Sequence, residues 1–553
     1  MSLAGAPGHG RWPSPQLIDT ICLVAITIAS AMPYLPRLGF YSDDWGYLAS
    51  FTLALHHNSL FSSAASIFAG RPVQGFYLAL LFQCFGLNPL GYHIVGTVVL
   101  AASIWLLYFL LIRLRVARAQ SLAATLLFLM LPQLSTVRVW YSAGQITLSL
   151  ALMLVSMHVQ LSFSRTGKSR TGKAVRLALA IGAAVLSVGA YEIFAPLLVG
   201  FAAVLVLFWW RSSPRDSRTR WWAALSCVAA AALILAAIAY KVLLSGRAGP
   251  IADPNRYIGG LRQLIRPDYD WRVDSGLNIF AMAQAYFWAP VKGWWTGAIS
   301  LVRGRSGFEV TVLAIVIAAV TFRRLVARDG DNSPEPKRLL LVGVAAFLLG
   351  HAVFMIVPYI AFTSTGIDNR TQVAAALGVA LIFTAILSVI SIRRTMFAAL
   401  VALITAAAFA RLSTIENYWA EAPALQQRVL TAAQTDLRDV PANSTVILDG
   451  VCPYHGPAIV FESWDAGGAL TLALGRPINA DLVSSRMSLT PKGLSTSIYK
   501  MPDFYPYSDR LYVYQPYQHR LVHLDSAAAA KAYFTTREAT LCPPGYVARG
   551  VAV

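Results

Sequence analysis

The sequence predicts a mainly α, polytopic transmembrane helical bundle of about eleven spans, followed by a C-terminal extracytoplasmic α/β domain. Three observations lead there. Hydrophobic residues fill 57 % of the 553 positions and charged residues only 13 %, about half the share usual in soluble domains. The apolar residues gather into runs of membrane-crossing length. The basic residues cluster between those runs, on alternate connections, as cytoplasmic loops do.

A helix needs about 20 mostly apolar residues to cross a bilayer. Runs approaching that length cover 17–36, 90–112, 119–134, 143–163, 174–190, 193–210, 221–244, 307–322, 338–360, 372–391 and 395–411. No small-residue cleavage site follows the first run, so it is expected to be a span and not a signal peptide. Two further stretches are assigned to the membrane surface. Val73–Gly86 is too short to cross and is expected to be re-entrant or interfacial. Gly276–Val302 is long enough but carries Asn278, Gln284, Lys292 and Trp288, Trp294 and Trp295, and Trp and Lys favour the interface.

Loop charges then fix the expected orientation. With the N-terminus cytoplasmic and both doubtful stretches flat on the outer face, every dense basic cluster falls inside: Arg113/Arg115/Arg118, Arg165/Lys168/Arg170/Lys173, Arg211/Arg215/Arg218/Arg220, Arg323/Arg324/Arg328/Lys337/Arg338 and Arg393/Arg394. Counting Val73–Gly86 alone as a span would put the first three clusters outside. The net charge of +19 is thereby assigned to cytoplasmic loops facing the bilayer and not to nucleic-acid binding. The chain divides into a transmembrane domain, 1–411, and a soluble domain, 412–553, outside a plasma (inner) membrane.

The tail has a different character. Strand-like runs such as Ser444–Leu448 and Arg510–Tyr514 alternate with turn residues, Tyr and Pro, as in a small mixed domain. Cys22, Cys84 and Cys227 lie in apolar runs and read as small buried hydrophobes. Cys452 and Cys542 lie in the tail, where a disulfide and a pair of free thiols are equally open. No internal repeat is present.

The expected outer face collects the residues able to carry chemistry. Phe40-Tyr41-Ser42-Asp43-Asp44-Trp45-Gly46-Tyr47 follows the first span. Adjacent carboxylates at a membrane surface are costly to desolvate, and one of such a pair keeps a raised pKa, which suits it to accept a proton from a hydroxyl. The plainer reading is a helix cap. Arg71-Pro72 opens the first flat segment, Gly86-Leu87-Asn88-Pro89-Leu90-Gly91-Tyr92-His93 leads into the second span, and Arg138-Val139-Trp140-Tyr141-Ser142 follows the third. Tyr191-Glu192 joins the fifth and sixth spans, and Asn369-Arg370 precedes the tenth.

Each has a structural alternative. Arg71 and Arg138 fit snorkelling to headgroups, Trp140 and Tyr141 an aromatic belt, and His93 a hydrogen-bonded core residue. Glu192 has no cation near it in sequence, which is costly unless it is paired in space. Arg370 suits bidentate phosphate binding or a pair with Asp368. Segment 245–275 mixes five Arg with Asp253, Asp268, Asp270 and Asp274, which fits anionic lipid contact or local pairing.

The Ser42-Asp43-Asp44-Trp45 loop resembles the acidic motif of type C glycosyltransferases, the membrane enzymes that use polyprenyl-phosphate sugars. The order Asp-Asp, Arg71-Pro72, Gly86-Leu87-Asn88-Pro89 and Tyr92-His93 is similar to the protein O-mannosyltransferase branch and its bacterial relatives. The resemblance covers roughly residues 17–200. It implies a polyprenyl-phosphate-linked sugar donor, a glycan, lipid or protein acceptor, an outer-face site and an inverting transfer. Asp43 would be the general base, Asp44 its motif neighbour and Arg370 a donor-phosphate ligand; Arg71, His93, Arg138, Tyr141 and Glu192 would line the substrates. The family's third-span loop carries a second acidic residue, whereas Arg138 to Gln145 has none; Glu192 is its expected replacement. No cofactor is implied, and no metal, since no cluster with ligand spacing stands out.

Two other functions compete. A surface-polysaccharide polymerase or ligase would use a large outer loop with paired arginines, a part that segment 245–305 fits. A transporter or flippase commonly shows two related halves, and none is visible here.

Overall fold

The computed structural model describes residues 15–56, 59–162, 170–212, scattered positions between 221 and 240, and 279–327, 335–355, 362–498 and 501–538, with Cys542. The expected span at 221–244 falls mostly outside these residues, and segment 245–275 wholly outside.

The bundle begins with α1 (Pro15–Ala31), α2 (Asp43–His56), α3 (Leu60–Ile67), α4 (Pro72–Phe85) and α5 (Pro89–Arg113). Asn88 caps α5 by accepting the Leu90 N–H at 3.2 Å, with Pro89 in the first turn, where a missing N–H costs nothing. Next come α6 (Arg118–Met130), α7 (Ser135–Val139), α8 (Gly144–Leu161), α9 (Arg170–Ala190) and α10 (Ala195–Ser212). A π-turn at Ala283–Trp288 runs into α11 (Ala289–Val302), which is followed by α12 (Phe308–Val326), α13 (Pro336–His351), α14 (Val373–Ile390) and α15 (Arg394–Asp436).

The chain is a polytopic membrane protein. Among the described residues six helical stretches are long and apolar enough to cross a membrane: Pro15–Arg37, Pro89–Arg113, Tyr141–Leu161, Pro336–Phe354, Ile367–Ile390 and Arg394–Asp436. Arg118–Met130 and Pro132–Val139, bent by 55°, make a seventh if taken as one span. The fifth and sixth expected spans are shorter apolar helices, as is the flat segment, which forms the 14-residue α4. The eighth is α12, and Gly276–Val302 supplies α11, packed along α15.

Breaks in these helices position the site. Pro132 cannot continue α6, and the bend turns α7 and Trp140–Ser142 over the loop that follows α1. A similar break at Tyr191 separates α9 from α10.

The helix that holds the last expected span, 395–411, runs on past Arg411. Helix α15 continues unbroken for 43 residues to Asp436, roughly 65 Å at 1.5 Å per residue, and delivers the chain to the C-terminal sheet. That sheet comprises β1 (Ser444–Leu448), β4 (Ile478–Leu482), β8 (Leu511–Gln515) and β9 (Arg520–His523) in the order β4-β1-β8-β9. Strands β1 and β4 are parallel, so the connection must cross over; it does so through α16 (Ala466–Leu474), after a small hairpin, β2 (Tyr454–His455) with β3 (Ala458–Ile459). A three-stranded antiparallel sheet, β5 (Ser488–Leu489), β6 (Gly493–Ile498) and β7 (Met501–Pro506), and a final helix, α17 (Ala527–Thr536), complete the tail. Both strand-like runs foreseen in the sequence are strands. Cys452 and Cys542 form a disulfide with their Cα atoms 5.5 Å apart.

The tail is keyed to the loop after α1. The Tyr41 hydroxyl donates to the Trp419 carbonyl at 2.5 Å, and the Gln426 amide bridges the Phe40 and Val460 carbonyls at 3.0 and 2.8 Å. Helix α16 lies on the start of α2 so closely that a Cβ on Gly468 would stand 2.6 Å from the Trp45 backbone.

Candidate active site

Ser42 starts the site with an unusual backbone. It is fully buried and its φ is +49°, a left-handed conformation that costs a non-glycine residue energy and recurs at functional positions. The turn it makes sends Asp43 and Asp44 in different directions.

Asp44 points into the protein. Its carboxylate accepts the Tyr41 N–H at 2.9 Å, the Trp140 indole N–H at 2.9 Å and the Ser142 N–H at 3.2 Å. It has no exposed surface, and burial drives its carboxyl well above the ordinary range against the pull of those donors. These bonds tie the loop after α1 to the segment after α7, so Asp44 shapes the site.

Asp43 keeps partial exposure. Burial again raises its pKa; Arg370 opposes this most strongly, then a hydrogen bond from Trp464, then Arg71. The Trp464 indole N–H also reaches the Ser42 hydroxyl at 3.1 Å. Arg370 stacks on Trp140, its Cζ 4.5 Å from the ring centre, which holds the guanidinium in place.

Arg71 and Glu192, separate in sequence, form a two-pronged ion pair with both N–O distances 3.0 Å, and Arg71 stacks on Tyr191 at 4.1 Å. The cation that Glu192 lacks locally is thus supplied by the first turn before α4. Tyr141 lies against Tyr92 at 4.5 Å between ring centres, and its buried hydroxyl makes no hydrogen bond among the described residues.

The remaining two expected residues bond to the protein. His93 Nε2 lies 2.9 Å from the Gly39 carbonyl. Arg138 is buried, donating to Glu416 at 2.6 Å and to the Ser30 hydroxyl at 2.6 Å. Both brace the loop from behind. Among the described residues no three His, Cys, Asp or Glu side chains converge in a metal-binding arrangement.

The tail contributes residues that sequence reasoning did not single out. Trp464 touches the motif directly. Glu462 is pushed up to about 7 by burial, with Arg486 opposing and Asp368 and Asp481 adding to the rise. Asp465 is raised well above its usual range, first by burial and then by Glu462, Asp43 and Asp44. One Asp465 oxygen accepts the Glu462 N–H at 2.8 Å; the other is buried without a hydrogen bond among the described residues. The signal was there to find: Glu462-Ser463-Trp464-Asp465 followed by Gly467-Gly468 sets two acids and a Trp ahead of a helix that must approach another backbone.

The arrangement sets the partly exposed Asp43 in the field of Arg370 and beside the acids of the tail. It can take a proton on one side while positive charge is offered to a leaving group on the other.

No family model and no curated protein matches this chain. Among solved structures it is similar to ArnT from Cupriavidus metallidurans bound to undecaprenyl phosphate, at 15 % identity over 83 % of this chain and 85 % of that one, with a TM-score of 0.38. It is also similar to the oligosaccharyltransferase AglB from Archaeoglobus fulgidus in complex with an inhibitory peptide and a dolichol-phosphate, at 14 % identity over 84 % of this chain and 64 % of that one, with a TM-score of 0.39.

Proposed function

We propose that the chain is a membrane glycosyltransferase that moves a sugar from a polyprenyl-phosphate donor to an acceptor hydroxyl, with inversion, on the extracytoplasmic face. The N-terminus is then cytoplasmic, residues 412–553 are extracytoplasmic, and the acceptor is a glycan, lipid or protein. The observation that carries the reading is the partly exposed Asp43 next to Asp44, with Arg370 stacked on the Trp140 ring that Asp44 holds.

In this reaction Asp43 takes the acceptor's hydroxyl proton as the oxygen attacks the sugar's anomeric carbon. The bond from that carbon to the phosphate oxygen breaks on the opposite face, and the electron pair leaves on the lipid phosphate. Arg370, held by Trp140, stabilises that charge; Arg71, fixed by Glu192, adds to the positive field. The phosphate departs as an anion, so little general acid is needed.

The test is transfer from radiolabelled polyprenyl-phosphate sugars by membranes holding the native acceptor pool, with expression of wild type and Asp43→Asn matched. Transfer by wild type that disappears in the variant is the expected result. Equal transfer by both proteins would remove Asp43 from catalysis, and no transfer from any donor would overturn the enzyme reading.

A further inference from the structure

A polar cavity of about 260 Å³ lies between α11, α15 and the loop leading to Arg370. Its polar lining includes Lys292, Arg411, Gln284, Thr296, Ser364 and Thr365, and no carboxylate among the described residues. Neither Lys292 nor Arg411 makes a hydrogen bond or ion pair among those residues, although Arg411 is half-buried. Arg411 is the costly one of the two, since a half-buried cation in an apolar bundle calls for an anion, whereas Lys292 is exposed.

The local build accounts for the space. Helices α11 and α15 meet at glycines: a Cβ on Gly297 would stand 2.0 Å from the Ala407 carbonyl oxygen, and one on Gly293 would stand 3.3 Å from the Arg411 side chain. The π-turn Ala283–Trp288 immediately precedes α11 and rotates its face; such turns recur at functional sites. Gln284 and Trp288 of that turn line the cavity. Trp288 and Trp295 are exposed on the same segment, the placement of aromatic side chains at headgroup level. The Thr296 hydroxyl is already spent on Gly293, which leaves Ser364 and Thr365 as hydroxyl donors.

We infer that this cavity binds a lipid-borne phosphate, with Lys292 and Arg411 as its counter-ions, at a site separate from Asp43. Two cations and two hydroxyl donors match the charge and acceptor-rich surface of a phosphate, and the flanking Trp residues place it where a lipid phosphate sits. The polar wall belongs to the reaction loop: Ser364 and Thr365 directly precede Gly366 and the turn Ile367–Gln372 that holds Arg370.

The experiment is native mass spectrometry of the purified full-length chain in detergent, titrated separately with phosphatidylglycerol, phosphatidylcholine and a polyprenyl phosphate. Lys292→Gln/Arg411→Gln is expected to retain phosphatidylglycerol at least about tenfold less than wild type, or to hold one polyprenyl phosphate fewer per chain. Loss confined to phosphatidylglycerol identifies a bilayer lipid as occupant; loss confined to polyprenyl phosphate identifies a carrier lipid. Equal retention of both anionic lipids by the two proteins, or retention of phosphatidylcholine as strong as that of phosphatidylglycerol, overturns the assignment. Lys292 is exposed, so Lys292→Gln alone tests the site without disturbing the helix contact and is expected to show part of the loss. The readout is binding, so it stands or falls apart from sugar transfer.

Discussion

Two carboxylate centres lie at opposite ends of α1, and they differ in how completely they are paired. Near the start of the helix Asp19, fully buried, accepts from the Tyr108 hydroxyl at 2.7 Å, from Arg118 at 2.5 and 2.7 Å, and from Arg324 at 2.8 Å. Beyond its far end Asp43 stands partly exposed, and the acids around it include a buried Asp465 oxygen with no hydrogen bond among the described residues. The residue types match. A carboxylate whose acceptor capacity is filled by its own protein holds helices together, whereas one left accessible near a fixed cation is equipped for chemistry.

The largest expected effect breaks the reactive side of that contrast. Asp43→Asn should lower sugar transfer by about 10²- to 10⁴-fold with little change in thermal stability, measured by initial rates and by melting of the purified protein. Its mirror image is Asp19→Asn. That variant leaves Arg118 and Arg324 without their buried anion, so it should cost about 3–5 kcal/mol of stability while folded molecules keep most of their activity per site. A large loss of activity per folded molecule would show that the two ends are coupled. Asp44→Asn should fall between these: two of its bonded groups share one carboxylate oxygen, and loss of buried partners costs about 1–3 kcal/mol, seen as lower stability and slower transfer together.

The smallest effect is on pH dependence. A base must be ionised to act, and burial raises the Asp43 pKa, so activity should rise with pH through a value above that of an ordinary aspartate. Glu462, pushed up to about 7 by burial, acts on Asp465, which also feels Asp43, so its ionisation adds negative charge to the acids next to the base as pH rises. Glu462→Gln removes that charge and should move the acidic limb of the profile towards lower pH. A limb unmoved by this variant would place Glu462 outside the field of the base.

This contrast also marks what was legible in the sequence. Apolar runs and basic clusters gave the helical bundle, and Asp43, Arg71, Glu192 and Arg370 stood out because charges are rare in such a chain. The pairing of Arg71 with Glu192 was invisible, since it joins residues 121 positions apart. Hydrogen-bond partners alone separate Asp43 from Asp44, which neighbour each other in the same motif. Asp19 was overlooked although a lone acid inside an apolar helix demands a partner. Trp464 and Glu462 escaped because the tail was read as a separate body.

Helix α15 runs across the boundary expected at residue 411. It carries Pro423 in its interior, a point where helices kink, but that turn is held to the loop after α1: Trp419 accepts from Tyr41, Gln426 donates to Phe40, and Pro423 packs on Gly39. The tail therefore has no obvious axis about which to swing clear of Asp43. On the proposed reading, acceptor and donor would then reach Asp43 with the tail in place, and the tail's own Trp464 would be part of the surface they meet.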